Sequence, residues 1–222
     1  WFSPIVAEVG PDGNLWIADW YNFIIQHNPT PNLNRGGYDA QRGPGNAHVN
    51  PNRDRQHGRI YRLVYQKNKA PTFNLENAKW EKLVKALSHD NMFWRLTAQR
   101  ILLNSQFKEA VPSLKKLLYQ SSPPSLHALW TLHGLGALDG QSHAKCLISK
   151  DPALRRNAIR ALPSTMKGQQ MLHDSATLGD KDGLVRLASF VQLASFPRDE
   201  GIRDLASLLM RVEENAKDEW LR

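Results

Sequence analysis

The sequence changes character once, between Lys67 and Thr72, and that break constrains the fold more than any other feature. Before it the chain is rich in Gly, Pro, Asn, Trp and Tyr; after it, in Leu, Ala, Lys and Arg. The junction Gln66-Lys67-Asn68-Lys69-Ala70-Pro71 is polar and carries a proline, as a linker does. Two domains are therefore expected, residues 1–70 and 71–222, giving a chain that is α+β by segment.

The first part reads as antiparallel β. Residues 4–9 form a short β-prone run, and Gly10-Pro11-Asp12-Gly13 is a turn signal, because Pro fixes one dihedral and Gly admits a positive one. Residues 14–19 follow as a second strand and residues 23–27 as a third. Residues 28–56 show no periodicity, and residues 58–65 then alternate apolar with basic or polar side chains, as a half-buried strand does. Four short strands in a meander make one propeller blade, and a lone blade cannot bury its two faces. The expected architecture is an incomplete β-propeller: one four-stranded antiparallel blade with a long inserted loop. The chain opens Trp1-Phe2-Ser3 without an initiator Met or signal-like segment, so a longer polypeptide is expected, with any targeting signal upstream.

The second part reads as paired amphipathic helices. Residues 75–87 pair with 93–103, 110–118 with 125–135, 142–148 with 153–162, and 169–178 with 184–193; a last pair starts near Gly201. Beneath these lies a repeat: Asp90, Arg95 and Ala98, then Asp151, Arg155 and Ala158, then Asp182, Arg186 and Ala188, with Pro124, His127 and Ala128 filling the middle unit. An Asp before a second helix is expected to cap it, since its carboxylate accepts the free amide hydrogens there. About five helix pairs of roughly 30 residues each are the signature of an α-solenoid of HEAT-like type.

Composition narrows the chemistry. Hydrophobic residues make up 41% and charged residues 23%, a globular rather than disordered balance. No run of roughly 18 apolar residues occurs. The single Cys146 permits no internal disulfide, no Cys-based zinc site and no CxxCH haem attachment within the chain. The formal charge of +8 is open to two readings, an anionic partner or a generally basic surface; no run of five Lys or Arg favours the first.

Several groups are candidates for chemistry. Asp54, His57 and Arg59 place an acid, a titratable ring and a guanidinium at a loop-to-strand junction. His57 with the Asp54 carboxylate is a candidate general base, and Arg59 is a candidate to grip an anion or quinone carboxylate in a bidentate fork. The same residues also make an ordinary loop anchor. Asp19 and Tyr21, where the second strand ends, either face substrate or tie the turn and pack between layers. His27, His48 and His57 are spaced 21 and 9 apart, which does not make a metal site; Asp39 and Asp54 lack calcium-loop spacing, so no metal is expected. Asn34-Arg35-Gly36-Gly37-Tyr38 and Arg42-Gly43-Pro44-Gly45 are Gly-rich and basic but match no nucleotide motif. In the helical part His127, Trp130 and His133 read as a packed face, Cys146 as a core residue, and Arg155, Arg156 and Arg160 as a basic helix face.

Residues 9–22 and 52–62 carry a family likeness. Gly10-Pro11-Asp12-Gly13-Asn14-Leu15-Trp16 with Asp19-Trp20-Tyr21-Asn22, and Asn52-Arg53-Asp54-Arg55-Gln56-His57-Gly58-Arg59, resemble the closing propeller region of the large "membrane-bound dehydrogenase" proteins of planctomycetes and verrucomicrobia. Their propeller is similar to that of quinoprotein glucose/sorbosone dehydrogenases; a HEAT-like segment follows it, and a CxxCH cytochrome domain commonly lies further on. The resemblance implies a periplasmic or cell-envelope protein that oxidises a sugar or alcohol, with pyrroloquinoline quinone and c-type haem as cofactors of the larger protein. The partners implied are the remaining blades and a downstream cytochrome-type domain. This chain lacks CxxCH and most of a propeller, so its own role is expected to be non-catalytic: blade closure and a helical protein-interaction scaffold. The alternatives are a HEAT-repeat binding module without a redox role, or a basic nucleic-acid-binding solenoid, which the scattered charge argues against.

Overall fold

A computed structural model of the chain describes residues 2–21, 31–43, 49, 56–65, 73–196 and 216. The chain divides into two units, Trp1–Asn74 and Leu75–Arg222.

In the first unit, β1 (Pro4–Val9), β2 (Leu15–Asp19) and β3 (Arg59–Leu63) form an antiparallel sheet in the order β1-β2-β3. The β1–β2 turn closes through Gly10 N–H to Asn14 O at 2.9 Å and Gly13 N–H to Gly10 O at 3.0 Å. Gly13 sits at φ +74°, a conformation that side chains disfavour. Gly10 is required for a different reason: a Cβ there would lie 2.3 Å from the Trp16 indole.

This sheet corrects the expectation of a four-stranded blade. β3, expected as the fourth strand of a meander, pairs directly with β2, with Leu15 opposite Leu63, Ile17 opposite Tyr61 and Asp19 opposite Arg59. Since β1 holds the other edge of β2, no place is left beside β2 for a third strand. The described sheet has three strands; residues 23–27 lie outside the described residues. Period-2 alternation identifies strands but not their partners, and here a charge pair between register partners joins β2 to β3.

Cross-strand partners share a face. One face carries Val9, Leu15 and Leu63, then Ala7, Ile17 and Tyr61, then Asp19 and Arg59; the other carries Glu8, Trp16 and Arg62, then Val6, Ala18 and Ile60. A register break between Pro4 and Val6 leaves Ile5 as the extra residue of a bulge. Of the strand aliphatics larger than alanine only Ile17 is buried; β1 is exposed along its length, with Ile5 63% and Ile60 on β3 73% exposed.

The second unit is helical among its described residues: α1 (Trp80–Ala86), α2 (Met92–Asn104), α3 (Val111–Leu117), α4 (Pro124–Gly134), α5 (Gly140–Leu147), α6 (Pro152–Arg160), α7 (Met166–Asp174) and α8 (Gly183–Leu193). α1 packs on α2, α3 on α4 and α5 on α6, while a short 3₁₀ turn at Thr177–Gly179 joins α7 to α8. The second helices of the pairs also touch one another in a row, α2 to α4 to α6 to α8. These helices fall on the first eight segments marked by apolar periodicity; the pair from residue 201 onward lies outside the described residues.

The row has a numerical basis. Ala98, Ala128, Ala158 and Ala188 stand 30 residues apart, one on each second helix, and all four are buried. A methyl side chain lets neighbouring helix backbones come close. Around them leucines fill the core: Leu83, Leu102, Leu114, Leu132 and Leu172 have no exposure.

Side-chain oxygens cap α2, α5, α6, α7 and α8. Asp151 accepts from Ala153 N at 2.8 Å, Asp139 from Ser142 N at 2.8 Å, and Asp182 from Leu184 N and Val185 N at 3.0 and 3.1 Å. In the first pair the cap is Asn91, accepting from Phe93 N at 2.9 Å, and not the expected Asp90 one residue earlier. Four residues after the caps of α2, α6 and α8, an arginine reaches back to the turn before the helix. Arg95 Nη1 donates to the carbonyls of His89 and Asp90 at 2.7 Å each. Arg155 Nη1 donates to those of Ser149 and Lys150 at 2.7 and 3.2 Å, and Arg186 Nη1 to that of Asp180 at 2.8 Å. Two of these arginines also tie one pair to the next. Arg155 holds Asp180 in a bidentate grip, Nε to Oδ2 at 2.6 Å and Nη2 to Oδ1 at 2.7 Å, and Arg95 Nε donates to His127 Nε2 at 3.2 Å. Trp130 Nε1 adds a bond to Asn157 Oδ1 at 2.9 Å.

The Arg155 and Asp180 side chains are 8% and 9% exposed, so removing one leaves the other charged and buried. Asp180→Ala is expected to destabilise the helical unit by about 3–5 kcal/mol, read from urea unfolding followed by helical circular dichroism. A loss below about 1 kcal/mol, the value of a surface pair, would mean that the bridge does not hold the pairs together.

Candidate functional site

One cluster of polar residues of the sheet lies where β2 ends and β3 begins. Asp19 and Arg59 are register partners, so carboxylate and guanidinium project side by side. Arg59 Nε and Nη2 both donate to Asp19 Oδ2, at 2.8 and 2.6 Å. Asp19 Oδ1 accepts from the Ser3 amide, and Trp20 N–H returns a bond to Ser3 O at 2.9 Å. One carboxylate with no side-chain exposure thus ties the ends of all three strands. Burial pushes its pKa up, but the Ser3 amide and the Arg59 hydrogen bond and charge outweigh this and hold it below the ordinary value.

Aromatic rings complete the cluster. Tyr21 adopts a left-handed backbone, φ +50°, and its ring centroid lies 4.1 Å from the Arg59 guanidinium carbon. Tyr61 lies 5.4 Å from the same carbon, Phe2 packs edge-on against Tyr61, and His57 meets Tyr21 at 6.1 Å and 72°. Asp19, Tyr21, His57 and Arg59, four of the five sequence candidates, therefore form one cluster; Asp54 lies outside the described residues.

The arrangement limits what these residues can do. Arg59 turns Nε and Nη2 toward Asp19, which makes its guanidinium part of the strand tie. Asp19 is ionised at neutral pH and engaged on both oxygens, which suits a structural anchor rather than a proton acceptor.

A second hub was not legible as such. Asp12, expected only as a turn residue, accepts from Asn14 N at 3.1 Å, Asn14 Nδ2 at 3.0 Å and Trp16 Nε1 at 3.0 Å, and pairs with Arg62. The Asn14 side chain, then Trp16, holds its carboxyl far below the usual range. The available signal was the cross-strand pairing of Trp16 with Arg62, which brings both donors over the turn.

The remaining candidates resolve in similar ways. In the Gly-rich loop the amides of Arg35, Gly36 and Gly37 bond to Asn32 and Leu33 carbonyls within a 3₁₀ turn and do not converge on an anion site. His27 and His48 lie outside the described residues, and among the described residues no three His, Cys, Asp or Glu side chains could hold a metal. Cys146 is buried, which pushes its thiol up to about 11 and leaves it unreactive. His127, Trp130 and His133 are not a ligand set: Trp130 bonds Asn157, and His133 meets the Trp130 ring edge-on. His127 Nε2 accepts from Arg95, which has no acceptor, so its Nδ1 carries the proton and donates to Gln99 Oε1 at 2.8 Å. Burial first, and the Arg95 charge second, lower its pKa to about 4.

Two outcomes are expected. Asp19→Ala removes a charged acceptor from Ser3 N–H, so exchange of that amide accelerates about 10–100-fold by hydrogen-exchange measurement; unchanged exchange would mean the anchor is not needed. His127 binds its proton more weakly folded, at about 4, than unfolded, at 6.5. Its contribution is therefore fully present above pH 6.5 and lost as pH falls from 6.5 to 4. His127→Gln should flatten that part of the urea-midpoint profile, while buried His143 leaves a residual slope of the same sign.

Compared with known proteins, residues 1–67 match a family described as a domain of unknown function (DUF7133). No curated protein matches the chain.

Proposed function

We propose that this chain is a protein-assembly segment without a reaction of its own: a sheet module covered by protein on both faces, followed by a helical scaffold that binds protein. The observation that carries this reading is the sheet's distribution of side chains. Its carboxylates Asp12 and Asp19 are consumed in strand ties, while Ile5, Val9, Leu63 and Ile60 stand uncovered on its surfaces. Apolar side chains gathered on both faces of so small a sheet call for a covering layer. No described helix is long and apolar enough to cross a membrane. The resemblance of residues 9–22 and 52–62 extends the proposal: the larger assembly is an envelope protein that oxidises a sugar or alcohol, with quinone and haem held outside this chain.

Two measurements on the 222-residue chain test the reading. Supplied with pyrroloquinoline quinone and an artificial electron acceptor, it is expected to oxidise no sugar or alcohol in a panel. It is also expected to bind the dye 1-anilinonaphthalene-8-sulfonate, with the Ile5→Lys, Ile60→Lys double variant losing about half the fluorescence at unchanged helical melting. Turnover by the chain alone, or dye binding indifferent to the two lysines, overturns it.

A further inference from the structure

The cations of the helical unit are sorted by helix. All six arginines of residues 75–196, Arg95, Arg100, Arg155, Arg156, Arg160 and Arg186, lie on second helices, and no lysine does. The lysines that fall within helices, such as Lys82, Lys115, Lys145 and Lys167, lie on the first helices. From first residue to last, α2, α4, α6 and α8 contain no Asp or Glu; the acids Asp151 and Asp182 stand only at caps. Because these four helices touch in a row, they present one acid-free surface.

The arginines divide into two classes. Arg95, Arg155 and Arg186 are turned inward onto the turn carbonyls. Arg100, Arg156 and Arg160 make no hydrogen bond or ion pair with any described residue. Arg156 Nε is in addition shielded from water without an acceptor, a state that is costly until an acceptor arrives. These unpaired arginines sit on an i, i+3, i+7 stripe opposite the buried one, Phe93-Leu96-Arg100 on α2 and Ala153-Arg156-Arg160 on α6. The same stripe on α8 is aliphatic, with Leu184 49% and Val191 66% exposed, and Leu96 on α2 is 47% exposed.

We propose that this stripe of the second helices docks an acidic, amphipathic helical segment of a partner protein, its carboxylates meeting Arg100, Arg156 and Arg160 and its apolar side chains meeting Leu96 and the aliphatic stripe of α8. The proposal rests on the protein-binding reading above and names the chemistry of the partner. Arginine rather than lysine suits carboxylates, because its planar fork binds both oxygens. The aliphatic residues beside the cations distinguish the surface from a nucleic-acid groove, which needs dense cations along roughly six to ten phosphates. The distance from α2 to α8 is about 30 Å at three interaxial spacings, within the roughly 33 Å of a helix of about 22 residues.

The test is fluorescence anisotropy with the full chain and three probes: a labelled helical peptide of about 22 residues with Glu on one face and Leu on the other, its Lys-for-Glu counterpart, and a DNA duplex of about 20 base pairs. The acidic peptide is expected to bind best. Affinity should fall at least about tenfold in the Arg156→Glu, Arg160→Glu double variant, and severalfold in Arg100→Glu and Leu96→Ser, each checked for unchanged melting. If the charge reversals unfold the chain, Arg156→Gln with Arg160→Gln gives the same reading. Equal binding of both peptides, an affinity untouched by these variants, or tighter binding of the duplex overturns the proposal. Failure here with the dye result intact removes only this surface; failure of the dye result removes the assembly reading itself.

Discussion

Where one helix ends and the next begins a few residues later, backbone carbonyls are left without amide partners and need donors from elsewhere. The second unit meets this constraint with a guanidinium placed four residues into the following helix. Arg95, Arg155 and Arg186 each satisfy carbonyls of the turn before their own helix, and Arg155 spends its other edge on Asp180 in the next pair. The same side chain therefore closes one hairpin and sets the distance to its neighbour. The small residues at 98, 128, 158 and 188 then let the helices come close enough for these polar contacts to form. In the one pair that departs from this pattern, Ser125 stands 30 residues from both Arg95 and Arg155, buried and without a hydrogen-bond partner among the described residues. There the tie is made from the other side, by Arg95 reaching forward to His127.

The sheet unit uses ions for the same purpose with less apolar support. Three short strands with one buried isoleucine have little core to define their register. Asp19 and Asp12 define it instead, one at each end of β2. Each gathers donors from strand or turn, and Arg59 and Arg62 on β3 complete both hubs. Because charged hydrogen bonds are directional, they specify pairing even where hydrophobic contact is sparse. Carboxylates held ionised by such contacts contribute stability above the unfolded Asp range and lose it as pH falls below about 4.

Much of this was legible in the residues, and the exceptions have physical causes. Apolar spacing located the helices, since the stripe that must be buried recurs every three or four residues. The first cap was placed one residue early because Asp90 and Asn91 are both good caps and only backbone geometry separates them. The strand order departs from a meander because nearness in sequence is not nearness in the sheet, and the Asp19–Arg59 bond joins residues 40 apart. In the sequence Asp19 with Tyr21 and His57 with Arg59 stand as two separate candidate groups, and their mutual contacts, which sequence does not reveal, join them into one cluster. The sorting of arginine from lysine is visible only when every second helix is read together.

That sorting follows from the stack itself. A helix packed between two neighbours has a narrow exposed stripe, and an acid there would compete for the arginines that hold the turns. Keeping Asp and Glu off the second helices protects bonds such as Arg155–Asp180 from misdirected partners, a form of specificity by exclusion. Its by-product is a surface of one sign, on which any further arginine stays unpaired. Arg100, Arg156 and Arg160 occupy that surface, whereas an aliphatic residue at the same positions would have served packing equally well, as Val191 does on α8. Internal stability therefore accounts for the absence of acids but not for the presence of these three cations, and what they add is affinity for an anionic group brought from outside.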